Sequence, residues 1–191
     1  MNATSVVHPA IIIVAILGTA SSFLAATERV KGKDCQIVGL IVLACYGAIY
    51  LRFMLFSRTY TTWKPLLLLE PFWSYRACLS IDWTGLHVTN HGLFDQIVVN
   101  YLLYFPLSCL LPFTWPRFFY LCGLRRGLFR IIMVALVCSL VTEVAQYEMR
   151  VGYLEIDDIF NNSLGAGIGY IFYSMCYVLM LRLFPRISTK V

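Results

Sequence analysis

The sequence predicts an all-α integral membrane protein with about five transmembrane helices. Of its 191 residues, 60% are hydrophobic and only 13% are charged, and the mean hydropathy is +0.75. An ordinary soluble domain carries roughly a quarter charged residues, so this chain has a surplus of apolar side chains that must face lipid. The charged residues also fall into tight clusters. The uncharged runs between them approach the ~17–25 residues that a helix needs to cross a bilayer.

We place the five helices at about 9–26, 36–56, 96–116, 128–147 and 159–183. The first run could be mistaken for a signal peptide, but no Lys or Arg precedes it, so we expect a retained helix. The fourth helix crosses the membrane only if it continues through Glu143 toward Gln146. That continuation puts a carboxyl group at the edge of the membrane.

The Lys and Arg residues predict the orientation. Ten of the fifteen lie in the 27–35 segment, the 117–130 connection and the C-terminal tail. By the positive-inside rule these segments are cytoplasmic, so the N-terminus is outside and the C-terminus inside. We treat residues 1–191 as a single membrane domain. Because this sorting explains the net charge of +5, we expect the lipid bilayer and no nucleic acid as a partner.

The predicted outer loop, 57–95, is long and rich in aromatic residues, including Trp63, Trp73 and Trp83. Such side chains either anchor a segment at the headgroup level or form a lid over a groove that binds a lipid or glycopeptide. Cys78 is the one cysteine in this outward loop, so we expect no intrachain disulfide there.

Neither a metal nor a cofactor is expected. His87 and His91 are four residues apart, but no third ligand lies close in the sequence. A zinc site needs at least three protein ligands. The histidines are therefore interpreted as ordinary loop residues.

The stretch TEVAQYEMRVGYLEIDDIFNNSLGAGIGY, residues 142–170, carries the candidate chemistry. Glu143 and Gln146 share one face of the fourth helix, and Asp158 and Asn162 share one face of the fifth. The short connection makes the two helices antiparallel neighbours, so the four side chains can converge near the outer membrane boundary. A carboxylate within the span costs ~2.5–3.5 kcal/mol on insertion scales. It therefore faces either a ligand cavity or a structural partner, and a purely structural latch stays open.

Three further residues are candidates for helix contacts or for the site. Gly165 and Gly169 continue the Asp158 face as a GxxxG motif, which lets another helix approach closely. Asn100 lies near the outer end of the third helix, level with the acidic residues. It can hydrogen-bond another helix or join the site.

Together these motifs resemble the VanZ-like family of small bacterial membrane proteins over roughly 40–185. The family's Glu-x-x-Gln and acidic-x-x-Asp-x-x-x-Asn-x-x-Gly runs are matched by Glu143, Gln146, Glu155, Asp158, Asn162 and Gly165. Its Asn-x-x-x-x-x-Pro-Leu segment and upstream Arg are matched by Asn100, Pro106 and Arg58. The pattern departs near Arg150, because Gly152 occupies about the spot where many members have an Arg.

The resemblance implies a multi-pass protein of the bacterial cytoplasmic membrane, linked to resistance against teicoplanin-type glycopeptides. On this reading an extracytoplasmic polar pocket binds or shields an envelope lipid, a lipid-linked wall precursor or a glycopeptide. The candidate ligand-binding residues are Glu143, Gln146, Asp158, Asn162, Asn100, Glu155, Arg58 and Arg150. The alternatives are a membrane enzyme that uses Glu143 or Asp158 as acid or base, and a small transporter. A transporter usually shows internal repeats, and we find none in this sequence. Catalytic residues are not assigned.

Overall fold

A computed structural model describes residues 33–56, 67–82, 85–119 and 123–183. Four long helices dominate this part of the chain. They are α1 (Lys33–Leu51), α3 (His91–Thr114), α5 (Leu124–Glu148) and α6 (Ile156–Leu183), and α1 continues into a π-helical turn (Arg52–Phe56). The short elements are the helices α2 (Trp73–Cys78) and α4 (Pro116–Phe119) and the strands β1 (Leu67–Leu68), β2 (Leu79–Asp82), β3 (Gly85–Val88) and β4 (Leu154–Glu155).

Three of the described helices are long and apolar enough to cross a membrane, over residues 36–56, 91–114 and 124–148. This indicates a multi-pass membrane protein. The first predicted helix, 9–26, lies outside the described residues, and the fifth, 159–183, lies in α6, which is not among these three. The count of five helices and the orientation therefore stay predictions.

The third helix begins at His91, five residues before its predicted start at 96. The reason is a helix N-cap, which a hydropathy pattern cannot reveal. The side chain of Asn90 accepts a hydrogen bond from the backbone N–H of Leu93 at 3.2 Å. Such a cap satisfies one of the amide groups that a helix start leaves open, so the helix extends past Asp95.

The all-α prediction is incomplete, because two small β-ladders join the segments between the long helices. Strands β2 and β3 pair antiparallel, from Leu79 opposite Val88 to Asp82 opposite Gly85. Strands β1 and β4 pair parallel, with Leu68 opposite Glu155. The second ladder brings the predicted outer loop against the connection between α5 and α6. Strands of two residues carry too little periodicity to be found in a sequence.

Helix α3 lies at the centre of the helical packing, where it contacts α1 and α6, and α6 also contacts α5. Tyr104 of α3 is buried in the main apolar core. Three hydroxyl groups tie α1, α3 and α5 together: the Tyr50 hydroxyl lies 2.7 Å from that of Tyr104 and 2.9 Å from Oγ1 of Thr142. A hydrogen bond between helices is worth only ~0.6 kcal/mol on average in membrane proteins. We therefore expect these bonds to fix how the three helices are positioned and to add little to the stability of the fold.

Helices α3 and α6 approach closely at two glycines. A Cβ atom added to Gly165 would lie 2.7 Å from Cα of Tyr101, and one added to Gly169 would lie 2.7 Å from the carbonyl oxygen of Phe105. Both distances are shorter than real Cβ contacts. Small residues allow such backbone contact between helices, so the two glycines set the distance between α3 and α6.

Cys78 lies at the end of α2 and is fully buried, although the sequence places it in an outward loop. Burial also raises the pKa of its thiol, which lowers the fraction of reactive thiolate. Cys78 therefore cannot report the orientation of the chain. Thr89, which follows β3, is exposed and can.

We expect the Thr89→Cys variant to react with a membrane-impermeant thiol reagent on intact cells, because the predicted orientation puts this loop outside. Wild-type protein, which retains Cys78, should show little labelling. The matched control is Leu124→Cys at the start of α5, which the predicted orientation puts on the cytoplasmic side, and Leu124 is 58% exposed. This cysteine should react only after the cells are opened. Labelling of Leu124→Cys on intact cells, with Thr89→Cys protected, would reverse the orientation.

Candidate functional site

Buried polar side chains gather toward one end of α3, α5 and α6. This polar cluster comprises Asn100, Ser139, Thr142, Glu143, Gln146, Glu155, Asp157, Asp158, Asn161 and Asn162, each at most 6% exposed. Taking polar groups out of water costs free energy unless hydrogen bonds replace the lost ones. The hydrogen-bond partners of these groups therefore show which segments the cluster holds together and which of its polar atoms lack a partner.

The α5 part of the cluster is a stripe on one helix face. Ser139, Thr142, Glu143 and Gln146 follow the i, i+3, i+4, i+7 spacing that aligns side chains along a helix. Oε2 of Glu143 accepts a hydrogen bond from the backbone N–H of Glu155 at 3.1 Å, which ties β4 to α5. Nε2 of Gln146 donates to the backbone carbonyl of Met54 in the π-helical turn at 3.0 Å. The stripe thus contacts the π-helical turn, which precedes α5 in the chain, and β4, which follows it.

The first α6 face carries Asp158 and Asn162, which the sequence predicts to lie together. They contact different helices. Oδ2 of Asp158 accepts from Nε2 of Gln96 in α3 at 3.3 Å, and Nδ2 of Asn162 donates to Oγ of Ser139 in α5 at 2.8 Å. The pair therefore joins α6 to both of its neighbours.

A second α6 face carries Asp157 and binds the start of α2. Oδ1 of Asp157 accepts from the backbone N–H of Phe72 at 2.6 Å. Its Oδ2 accepts from the backbone N–H and the hydroxyl of Ser74 at 3.0 and 2.6 Å. Asp157 of α6 therefore ties the start of α2 to the first turn of α6.

Asn161, one turn after Asp157, continues this contact with α2. The Tyr75 hydroxyl donates a hydrogen bond to Oδ1 of Asn161 and lies 2.8 Å from the Tyr101 hydroxyl of α3. Asp157 and Asn161 together hold the segment that contains α2 against α6 and α3.

Four buried amide atoms in the cluster have no hydrogen-bond partner among the described residues. Two are donors, Nδ2 of Asn100 and Nδ2 of Asn161, and two are acceptors, Oε1 of Gln146 and Oδ1 of Asn162. Leaving such an atom without a partner costs about 1–3 kcal/mol, which a bound water or ligand would offset. The polar cluster thus retains both donating and accepting capacity.

The predicted site residues divide into three groups. Those in the polar cluster are Asn100, Glu143, Gln146, Glu155, Asp158 and Asn162. Arg150 is exposed, in the turn after α5 with a φ of 55°, and does not join the buried residues. Arg58 lies outside the described residues. A functional role for any of them stays a prediction.

Five residues in or beside the polar cluster were not predicted to belong to the site: Ser139, Asp157, Asn161, Thr142 and Tyr75. A signal existed for the first three: Ser139 extends the Glu143 stripe by one turn, and Asp157 and Asn161 repeat the four-residue spacing of Asp158 and Asn162. Tyr75 gave no such signal, because its contact depends on how the outer loop folds back.

A surface hollow of about 380 Å³ lies elsewhere, at the opposite end of α5. It is lined by Arg125, Arg126, Phe129 and Arg130. At 1.5 Å per residue, Arg126 and Glu143 are about 25 Å apart along the helix axis. This basic hollow is therefore separate from the polar cluster, and the predicted extracytoplasmic pocket stays a prediction.

The sequence model of the VanZ/LLP1 family matches residues 39–179, well over half of the chain. This span reaches from α1 into α6 and includes the whole polar cluster. No curated protein and no solved structure matches the chain.

Proposed function

The chain belongs to the VanZ/LLP1 family, and we propose that its polar cluster binds the polar head of an envelope amphiphile in the bacterial cytoplasmic membrane. The proposed ligand is a lipid-linked wall precursor, which the protein shields from teicoplanin-type glycopeptides. In the predicted orientation the cluster lies at the outer face, where wall precursors and these drugs meet.

The observation that carries this proposal is the set of four buried amide atoms without a partner among the described residues. Two of them can donate a hydrogen bond and two can accept one, so a suitable ligand offers both acceptors and donors. Sugar hydroxyls and peptide amides do so. The head of a lipid-linked wall precursor carries both.

The carboxyl groups of the cluster narrow the choice of headgroup. Glu143, Glu155, Asp157 and Asp158 are all buried within it. Carboxyl oxygens accept hydrogen bonds, and a phosphate offers mainly acceptors of its own, with a negative charge that any ionised carboxyl group repels. A bare phosphate is therefore a poor ligand here. Groups that donate hydrogen bonds to carboxylates, such as hydroxyls, amides and amines, fit better.

The segment that contains α2 supports a shielding role. Asp157 holds Phe72 and Ser74, and the β1–β4 ladder holds the chain just before them. Phe72 also packs edge-to-face on Phe160 of α6, with ring centroids 5.3 Å apart. A segment fixed in this way beside the cluster can cover a bound headgroup, which favours the lid interpretation of the outer loop.

We expect Glu143→Gln and Asn162→Ala to abolish protection against teicoplanin when the chain is produced in a susceptible bacterium. Glu143→Gln keeps the side-chain shape and replaces one carboxyl oxygen by an amide group, and Asn162→Ala removes the whole amide. A hydrogen bond to a charged group is worth about 1.5–3 kcal/mol, so ligand retention should fall about tenfold or more for Glu143→Gln. The measurements are drug susceptibility normalised to membrane protein level, and the amount of lipid-linked wall precursor that copurifies with the protein.

The matched control is Glu148→Gln, an exposed carboxyl five residues further along α5, which should leave both measurements unchanged. Arg150→Ala should give a milder loss than the cluster variants. Full protection by both cluster variants at normal abundance would disprove the proposal. Loss of protein in step with loss of protection would make the cluster a structural latch.

A further inference from the structure

The basic hollow lies on the first two turns of α5 and concentrates positive charge. Arg125 and Arg126 are exposed, and Arg130 is half-buried. At about 100° per residue the three fall on one side of the helix, so they can reach a common ligand. Their charges repel one another, and the positive end of the helix dipole opposes them further. A bound anion would relieve both effects.

Arg130 is already held in position for such a ligand. Its Nη1 donates to the backbone carbonyl of Phe118 at 2.5 Å, and its Cζ lies 4.2 Å from the centroid of the Phe118 ring. A guanidinium group has five N–H donors, so this bond leaves others for an oxyanion. A side chain that is already ordered loses less conformational entropy when it binds.

An apolar stripe leads from the basic hollow along α5. It consists of Phe129, Met133, Val137 and Val141, which are 65%, 43%, 55% and 62% exposed. Their spacing of four residues keeps them on one helix face, on the same side as the arginines. In a helix that crosses the membrane, this face contacts lipid tails. A lipid with its headgroup in the hollow would place an acyl chain on the stripe.

We propose that the basic hollow and the apolar stripe together bind an anionic phospholipid. The arginines bind the phosphate, and one acyl chain lies along the stripe. Arginine suits this role because its planar guanidinium matches phosphate oxygens with two parallel hydrogen bonds. Basic pockets on helical membrane proteins bind anionic headgroups by the same physics. The site is independent of the polar cluster, and in the predicted orientation it faces the inner leaflet.

The test uses the full chain, purified in a neutral detergent and depleted of lipid. Binding of phosphatidylglycerol, phosphatidylcholine and inorganic phosphate is measured by titration under native mass spectrometry. We expect phosphatidylglycerol to bind more tightly than phosphatidylcholine, and more weakly as salt rises. One arginine near an anionic membrane surface contributes about 1 kcal/mol, or about fivefold in affinity. The Arg125→Gln, Arg126→Gln double variant should thus bind phosphatidylglycerol about thirtyfold more weakly.

Arg52→Gln is the control, because Arg52 is exposed at the end of the helices opposite the basic hollow. This variant should bind phosphatidylglycerol as tightly as the wild-type protein does. Equal binding of the two lipids, or an unchanged affinity of the double variant, would overturn the proposal. Inorganic phosphate that displaces phosphatidylglycerol at equal concentration would assign the hollow to soluble phosphate and overturn the lipid. If the double variant does not fold, the lipid preference and salt dependence of wild-type protein decide.

Discussion

Replacing Gly165 by alanine should lower the thermal stability of the purified protein. The new methyl group would lie 2.7 Å from Cα of Tyr101, where backbone atoms cannot yield as a flexible side chain can. Helices α3 and α6 must then move apart along their contact. Added volume in a packed interior typically costs about 1–3 kcal/mol, and we expect a loss of this size in detergent. Gly165→Leu should lose more, because it adds three further carbon atoms at the same place.

Gly167, two residues further along α6, provides the matched control. A Cβ atom there would meet its nearest neighbour, a side-chain carbon of Ile132, at 3.9 Å, which is ordinary contact. Alanine is preferred over glycine within a helix by about 1 kcal/mol. Gly167→Ala should therefore keep or raise the stability. Equal melting temperatures for the Gly165 and Gly167 variants would show that the α3–α6 contact is looser than the structure has it.

Replacing Asp157 by alanine should release the segment that contains α2. The carboxylate accepts three hydrogen bonds at 2.6 to 3.0 Å, from Phe72 and Ser74. Without it, the backbone N–H groups of Phe72 and Ser74 and the Ser74 hydroxyl lose their acceptor. A hydrogen bond to a charged group is worth about 1.5–3 kcal/mol, so the free energy of local opening should fall by at least about 2 kcal/mol. Hydrogen exchange of residues 67–80, followed by mass spectrometry, measures this change directly.

The control for this variant is Glu148→Ala, which removes an exposed carboxylate at the end of α5. It should leave exchange of residues 67–80 at the wild-type rate. Hydrogen exchange in α6 itself should change little in Asp157→Ala, because the lost carboxylate bonds to Phe72 and Ser74 of the segment that contains α2. Fast exchange throughout α6, with α2 unchanged, would mean that Asp157 acts as a cap of its own helix after all.

The sequence by itself determined the helical membrane character of this protein and the faces that carry its polar residues. Long apolar runs fix where helices can cross a bilayer, since an unpaired backbone group in hydrocarbon is too costly. The three- and four-residue spacings of Glu143, Gln146, Asp158 and Asn162 put pairs on common faces, because the helical repeat is local. The family pattern pointed to the same residues, and the family itself is established over residues 39–179.

Only the tertiary structure decided which groups those faces meet. Asp157 and Phe72 are 85 positions apart, and no local periodicity links residues at that separation. The same holds for Gln146 with Met54 and for strand β1 with β4. Such pairs form because the close α3–α6 contact and the folded-back outer segment bring them together. These long-range pairs also determine which buried amide atoms have no hydrogen-bond partner among the described residues.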